Sequence, residues 1–204
     1  MPTEIAEEPA VTSRADRREA QRLATREKLL EVSVAEFQRT GFGQTDIATI
    51  VEQAGVSRGT FYFHFRTKDD VLAELRMREE RHIVQEVSPR LARDEPLETV
   101  LGAVVGGILH AEDRLGADLV REICAVQFRP SVADSDTVAD HPVAELVLRA
   151  VADSSKPMPE SHDLAVIFLV AVFGLLSAHR GPSDDRDRLI DALINLTVKG
   201  VSRP

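Results

Sequence analysis

Cysteine occurs once in the chain, at Cys124, tyrosine once, at Tyr62, and tryptophan not at all. One cysteine closes no internal disulfide and builds no thiolate zinc site, which fits a reducing, cytoplasmic setting. The near absence of Trp and Tyr argues against a dense aromatic cage around any ligand. Long apolar runs are scarce as well. The longest extends from Leu164 to Leu176, short of the about 20 residues of a membrane span, so a core helix and no membrane partner are expected. Met1 to Ala10 is acidic and contains proline, without the apolar stretch of a secretory signal. The chain also has no P-loop, no GxGxxG and no HExxH. The short His-acid pairs around His110 and at His162-Asp163 have no second cluster to complete a metal site. No cofactor, no metal and no enzymatic activity are expected.

What is present is an ordinary globular composition: 204 residues, 43% hydrophobic, 29% charged, enough for one or two modest domains. The net charge is -9, which argues against a protein that coats nucleic acid nonspecifically. Its distribution is uneven. Residues 12–70 carry ten Lys/Arg against nine Asp/Glu, whereas residues 71–204 carry fifteen against twenty-two. Arg14, Arg17, Arg18, Arg22, Arg26 and Lys28 form the only basic concentration. That run is either a solvated helix face or an arm that follows a DNA backbone.

The expected fold class is all-α, with about nine helices. Residues 1–15 read as a disordered tail. Residues 16–70 read as a helix-turn-helix domain and residues 71–204 as a larger helical domain. A first helix from Asp16 to Thr40 is marked by Leu23, Leu30, Val34 and Phe37 at helical spacing and stopped by Gly41. Thr45 is expected to cap a second helix, which Gly55 ends. Ser57 caps a short third helix, and Thr67 to Asp70 resembles a capping box opening a long fourth. Further helices are expected at about 96–113, 117–128, 142–153, 160–180 and 183–201, with loops at 129–141 and 154–159.

Residues 45–64 have the layout of two short helices meeting at a tight turn, where Gly55 supplies the positive φ. Ile47, Ile50, Val51, Val56 and Phe61 would form its inner face. The outward residues Ser57, Arg58, Gly59, Thr60, Tyr62 and His64 are small, hydrogen-bonding or aromatic. Arg58 offers a bidentate fork to guanine. Gly59 permits close approach, and Ser57, Thr60, Tyr62 and His64 reach phosphates or base edges. Thr25, Thr45 and Lys68 would add phosphate contacts. For Tyr62 a core role, and for His64 a structural one, remain rival readings.

The block from Thr25 to Leu75 resembles the N-terminal domain of TetR-family transcriptional repressors. The resemblance rests on Ala35-Glu36-Phe37, Gly41-Phe42, Thr45-Asp46-Ile47-Ala48, Ala54-Gly55-Val56-Ser57, Thr60-Phe61-Tyr62-Phe63-His64-Phe65 and Lys68-Asp69-Asp70-Val71-Leu72. It implies a homodimer, operator DNA as a partner, and a small-molecule effector bound in the C-terminal domain. Gln44-Thr45 departs from the family's usual pair of Ser/Thr, which puts one phosphate contact in doubt.

In the C-terminal half, the apolar run 164–176 has no polar face, so it must be covered on nearly all sides. With Leu189, Leu193 and Leu196 of the last helix, Phe173 and Leu176 are the expected dimer interface, forming half of a four-helix bundle. His110, Cys124, Gln127, Phe128 and Phe168 are candidates for an apolar effector pocket. For Cys124 a buried structural role is the main alternative. The expected function is a ligand-released repressor on a palindromic operator. An activator, a regulator without a ligand and a non-regulatory interaction protein stay open.

Overall fold

The computed structural model describes residues 14–127, 141–154, 161–179 and 181–201, with the side chains at 126 and 127 excepted. These residues form nine helices and no strand. The tail expected at 1–15 lies outside the described residues up to 13, and Arg14 and Ala15 are already helical. The loop expected at 129–141 lies outside them except for His141, and that at 154–159 except for Ser154.

Helix α1 (Arg14–Thr40) ends where Gly41 adopts φ 86°. Helix α2 (Ile47–Ala54) starts one residue later than the sequence suggests. Asp46, not Thr45, is its N-cap, with the carboxylate accepting from the Ala48 amide. Gly55 closes α2 at φ 65°, its amide donating to the Glu52 and Val51 carbonyls. Helix α3 (Arg58–His64) is capped by the Ser57 hydroxyl. Helix α4 (Lys68–Leu91) opens with the expected capping box between Thr67 and Asp70. Helices α5 (Leu97–Leu115), α6 (Ala117–Gln127), α7 (Pro142–Asp153), α8 (Ser161–Ala178) and α9 (Asp184–Val201) follow.

Two apolar cores hold these elements. One unites α4, α5, α7, α8 and α9 around Leu101, Val104, Val147, Phe168 and Leu169. The other unites α1 to α4 around Leu29, Ile50, Phe61, Phe65 and Leu72. This second core does not stop at residue 75. Leu115 of α5 and Leu119, Val120, Ile123 and Cys124 of α6 belong to it, and Phe173 packs against both cores. Gln38 of α1 donates to the carbonyls of Arg114 (3.1 Å) and Leu115 (3.2 Å), fixing α1 to the α5–α6 corner. Across the α1–α4 seam, Arg26 pairs with Glu74 at 2.6 Å, and Arg78 pairs with Glu27.

Helix α8 is long and apolar enough, by length and composition, to cross a membrane. In the fold its stripe Ala165, Phe168, Leu169, Val172 and Leu176 is buried in the core. Its other stripe, with Ile167 60% exposed and Val170 exposed, faces outward, and on α9 Leu189 and Leu196 are exposed as well. Between α9 and α5 lies a fully buried ion pair, Arg186 to Glu112 at 2.5 Å.

Candidate nucleic-acid interface and internal cavity

The local sequence accounts for how α3 is presented. Gly55 turns the chain, Ser57 caps the new helix, and Phe61 and Phe65 sink into the core. Arg58, Gly59, Tyr62 and Phe63 are thereby left exposed. Tyr62 is 52% exposed and keeps its ring edge-on to Phe61. Ser57 Oγ accepts from the Thr60 amide (3.1 Å) and lies 2.9 Å from Thr60 Oγ1, so the two hydroxyls form one small polar cluster on the outer surface.

The sequence Gly55-Val56-Ser57-Arg58-Gly59 also spells GxSxG, the pattern of a hydrolase nucleophile elbow. An elbow requires a strand leading into the serine. Here α2 leads into it, and Ser57 Oγ is occupied as a helix cap.

Three of the expected phosphate contacts have duties inside the chain. Thr45 is buried, and its hydroxyl donates to the Gly41 carbonyl at 2.9 Å and meets Thr40 Oγ1 at 2.8 Å. Lys68 Nζ donates to the carbonyls of Phe42 (2.8 Å) and Thr45 (2.6 Å) and lies over the Phe42 ring. Thr25 Oγ1 donates to the Gln21 carbonyl within α1. Two of the three N–H donors of Lys68 thus hold the turn before α2. His64 is half-buried, and its carbonyl accepts from Arg26 at 2.6 Å. Burial, then the charges of Arg26 and Arg22, lower its pKa below the ordinary 6.5, so at neutral pH it is an uncharged ring. Of the basic run on α1, Arg22 is paired with Glu19 and Arg26 with Glu74.

A cavity of about 60 Å³ lies between the two cores, walled by α4, α5, α6, α7 and α8. Ile83, Ile108, Val120, Ile123 and Leu169 make it mostly apolar. Arg76, Glu80 and His141 bring a polar edge to it, with Arg76 Nη1 3.1 Å from His141 Nε2 and Arg76 Nε 3.6 Å from Glu80. Cys124 lines it. Burial, then the Glu112 carboxylate, push its thiol pKa up to about 12. The other pocket candidates fall elsewhere. His110 is exposed, and Phe168 is wholly buried in the core without lining the cavity. The Gln127 side chain and Phe128 lie outside the described residues.

The interface candidates divide in the same way. Leu189 and Leu196 are exposed and Leu193 is half-buried, whereas Leu176 is buried in this chain's own core and Phe173 lines the cavity. On α8 the exposed large apolar side chains are thus Ile167 and Val170 rather than Phe173 and Leu176.

The capped, outward-facing α3 on a three-helix base has the geometry of a helix-turn-helix unit. Residues 29–75 match the family of bacterial regulatory proteins of the tetR type. A curated protein of Escherichia coli K12, named as a probable repressor of the acrEF/envCD operon, is 28% identical over 98 residues, 47% of this chain and 44% of its own. The regulator TtgR of Pseudomonas putida is 37% identical over 51 residues, 25% of this chain and 24% of its own. The matched stretch thus spans less than half the length of these relatives. Over the whole fold, RolR in complex with resorcinol superposes with a TM-score of 0.60 at 15% identity, covering 92% of this chain and 97% of RolR. A TetR-family regulator from Syntrophomonas wolfei gives a TM-score of 0.59 at 18% identity, covering 89% and 96%. The likeness to the tetR family in sequence is confined to the N-terminal part of the chain, residues 29–75 in the family match, and beyond it the chain shares the fold of these regulators.

Proposed function

We propose that the chain is a cytoplasmic homodimeric repressor that binds a palindromic operator and is released by a small, mostly apolar effector. The observation that carries this reading is the pairing of one outward recognition helix with one apolar face on α8 and α9. A two-fold dimer through that face presents two copies of α3, and two copies of α3 call for a palindrome. Ile167 and Val170 on α8 and Leu189 and Leu196 on α9 are large apolar side chains left exposed in the single chain, and a partner subunit would take them out of water. The expected DNA contacts are Arg58, Gly59, Thr60 and Tyr62, with Ser57 and His64 at the edge of the helix and Thr25 beside it. The name of the Escherichia coli relative supports repression rather than activation.

The cavity supports regulation by a ligand. Its walls suit an apolar molecule with one hydrogen-bonding end towards Arg76, Glu80 and His141, in the size range of a small molecule such as the resorcinol of RolR. A ligand there touches Val120, Ile123 and Cys124, which also belong to the core beneath the recognition helix. An effector that binds one arrangement of α6 better than the other shifts the population of DNA-competent dimers.

Sedimentation and gel shift on the DNA flanking the chain's own gene test the reading together. The wild type is expected to sediment as a dimer and to shift a palindromic duplex. Leu196→Glu is expected to be monomeric and to lose the shift while keeping its helical signal. A wild-type monomer that still shifts the duplex would reject the dimer, and a dimer that shifts no duplex would reject the operator.

A further inference from the structure

Phe63 is 72% exposed, the most exposed large apolar side chain among the described residues. Its ring meets the His64 ring edge to face, with centroids 5.0 Å apart. Among the described residues it joins neither core, because Phe61 and Phe65 already fill the inner side of α3. At about 100° per residue, Phe63 lies roughly 160° around the helix from Phe61. Gly59, also two residues from Phe61 but on its other side, lies roughly 160° around as well. Gly59 and Phe63 are thus one turn apart on a single outermost stripe.

Among the described residues nothing requires glycine at 59. A Cβ built there meets only Ser57 Oγ at 3.6 Å, an ordinary contact, and Gly59 is not among the positive-φ glycines. Glycine weakens a helix, so the open space over Gly59 points to something approaching from outside. The outermost stripe therefore presents a bare backbone followed, one turn later, by a projecting apolar ring. Arg58, Thr60 and Tyr62 flank it with hydrogen-bonding groups. A phenyl ring cannot bond a phosphate. In the major groove the apolar group on a base edge is the thymine 5-methyl.

We infer that Phe63 is a specificity-determining residue whose ring packs on a thymine 5-methyl group in each operator half-site, with Gly59 letting α3 lie deep enough for the ring to reach it. The inference rests on the reading of α3 as the DNA-binding helix. Arg58 then supplies hydrogen-bonded base recognition from beside the stripe, and Phe63 supplies apolar recognition at its centre.

The test uses the full chain, selecting bound sequences from randomised duplexes with the wild type, Phe63→Ala and Phe63→Leu. Each thymine of the selected half-site is then replaced singly by deoxyuridine, which removes only the methyl group. At one position the wild type is expected to lose about fourfold in affinity, the worth of one buried methyl. Phe63→Ala is expected to bind the thymine duplex more weakly and to lose nothing further at that position, and Phe63→Leu to keep part of the methyl effect. Thermal melting of both variants should match the wild type, since the ring is exposed. Equal deoxyuridine losses in the wild type and Phe63→Ala would overturn the inference, as would an unchanged site and affinity for Phe63→Ala. A wild type that enriches no sequence at all would instead overturn the DNA-binding reading on which the inference stands.

Discussion

Arg58 and Lys68 are both cations next to the recognition helix, and their surroundings give them opposite expected behaviour. Arg58 is exposed at the first position of α3. Arg58→Ala should weaken operator binding by about 1–3 kcal/mol and relax base preference if its fork reads a guanine, which competition against single-base operator variants would show. Lys68 bridges two backbone carbonyls. Lys68→Ala should lower the melting temperature, at a cost of about 1–3 kcal/mol for a lost charged hydrogen-bond donor, while leaving the salt dependence of DNA binding unchanged. Cys124 gives a stability change with a defined sign. Its folded pKa, about 12, stands above the ordinary 9.0. The unfolded chain therefore releases the thiol proton first, so this contribution is intact below pH 9 and is lost between pH 9 and 12. Melting curves across that range should fall for the wild type, and less steeply for Cys124→Ala. Sequence order alone separates none of these residues by role. Arg58 and Lys68 look alike in the chain, and only the carbonyls of the turn before α2 distinguish them.

Among the helices, those with written ends were legible and those without were not. Ser57, Thr67 with Asp70, and Gly55 each supply a hydrogen bond that terminates a helix, so the bounds of α3 and α4 can be read from residue types. Helix α7 is readable from a different mark, since Pro142 opens it with no side-chain cap hydrogen bond and Ser154 stands just past its last residue. In α8 the chain supplies no such mark. Its residues are apolar on every side, so no polar position betrays which stripe faces the core, and Leu176 was placed outward when it lies inward. The polar edge of the cavity was missed for the converse reason. Arg76 and Glu80 belong to none of the motifs in the sequence, and His141 comes from a distant helix start. The available signal was their register: Leu72, Arg76, Glu80, Ile83 and Val87 follow one another at helical spacing, so two charges interrupt the buried stripe of α4. Helix packing also sets a prediction on α5. A Cβ at Gly107 would stand 2.8 Å from Ile83 Cγ1, whereas one at Gly106 meets nothing within 4 Å. Gly107→Ala should cost about 1–3 kcal/mol as α4 and α5 are forced apart. Gly106→Ala should gain about 0.5–1 kcal/mol from helix propensity. Chemical denaturation of the pair checks both signs.

Over the whole molecule, the boundary expected near residue 70 follows the chain but not the packing. The core beneath α3 takes Leu115, Leu119, Val120, Ile123 and Cys124 from beyond that point. A fragment ending at residue 91 keeps α1 to α4 and leaves their shared apolar face open to water. It should bind the dye that reports exposed apolar surface and melt without a sharp transition, whereas the full chain should melt sharply. The same overlap bears on the building of hybrid regulators. A recognition unit transplanted from this chain onto a foreign sensor domain meets a corner shaped for other side chains. Grafts that carry α6 along with α1 to α4 should keep both tight folding and sequence choice. Grafts cut at residue 70 should lose the first and blur the second. In this protein the portable unit is a set of contacts rather than a stretch of sequence.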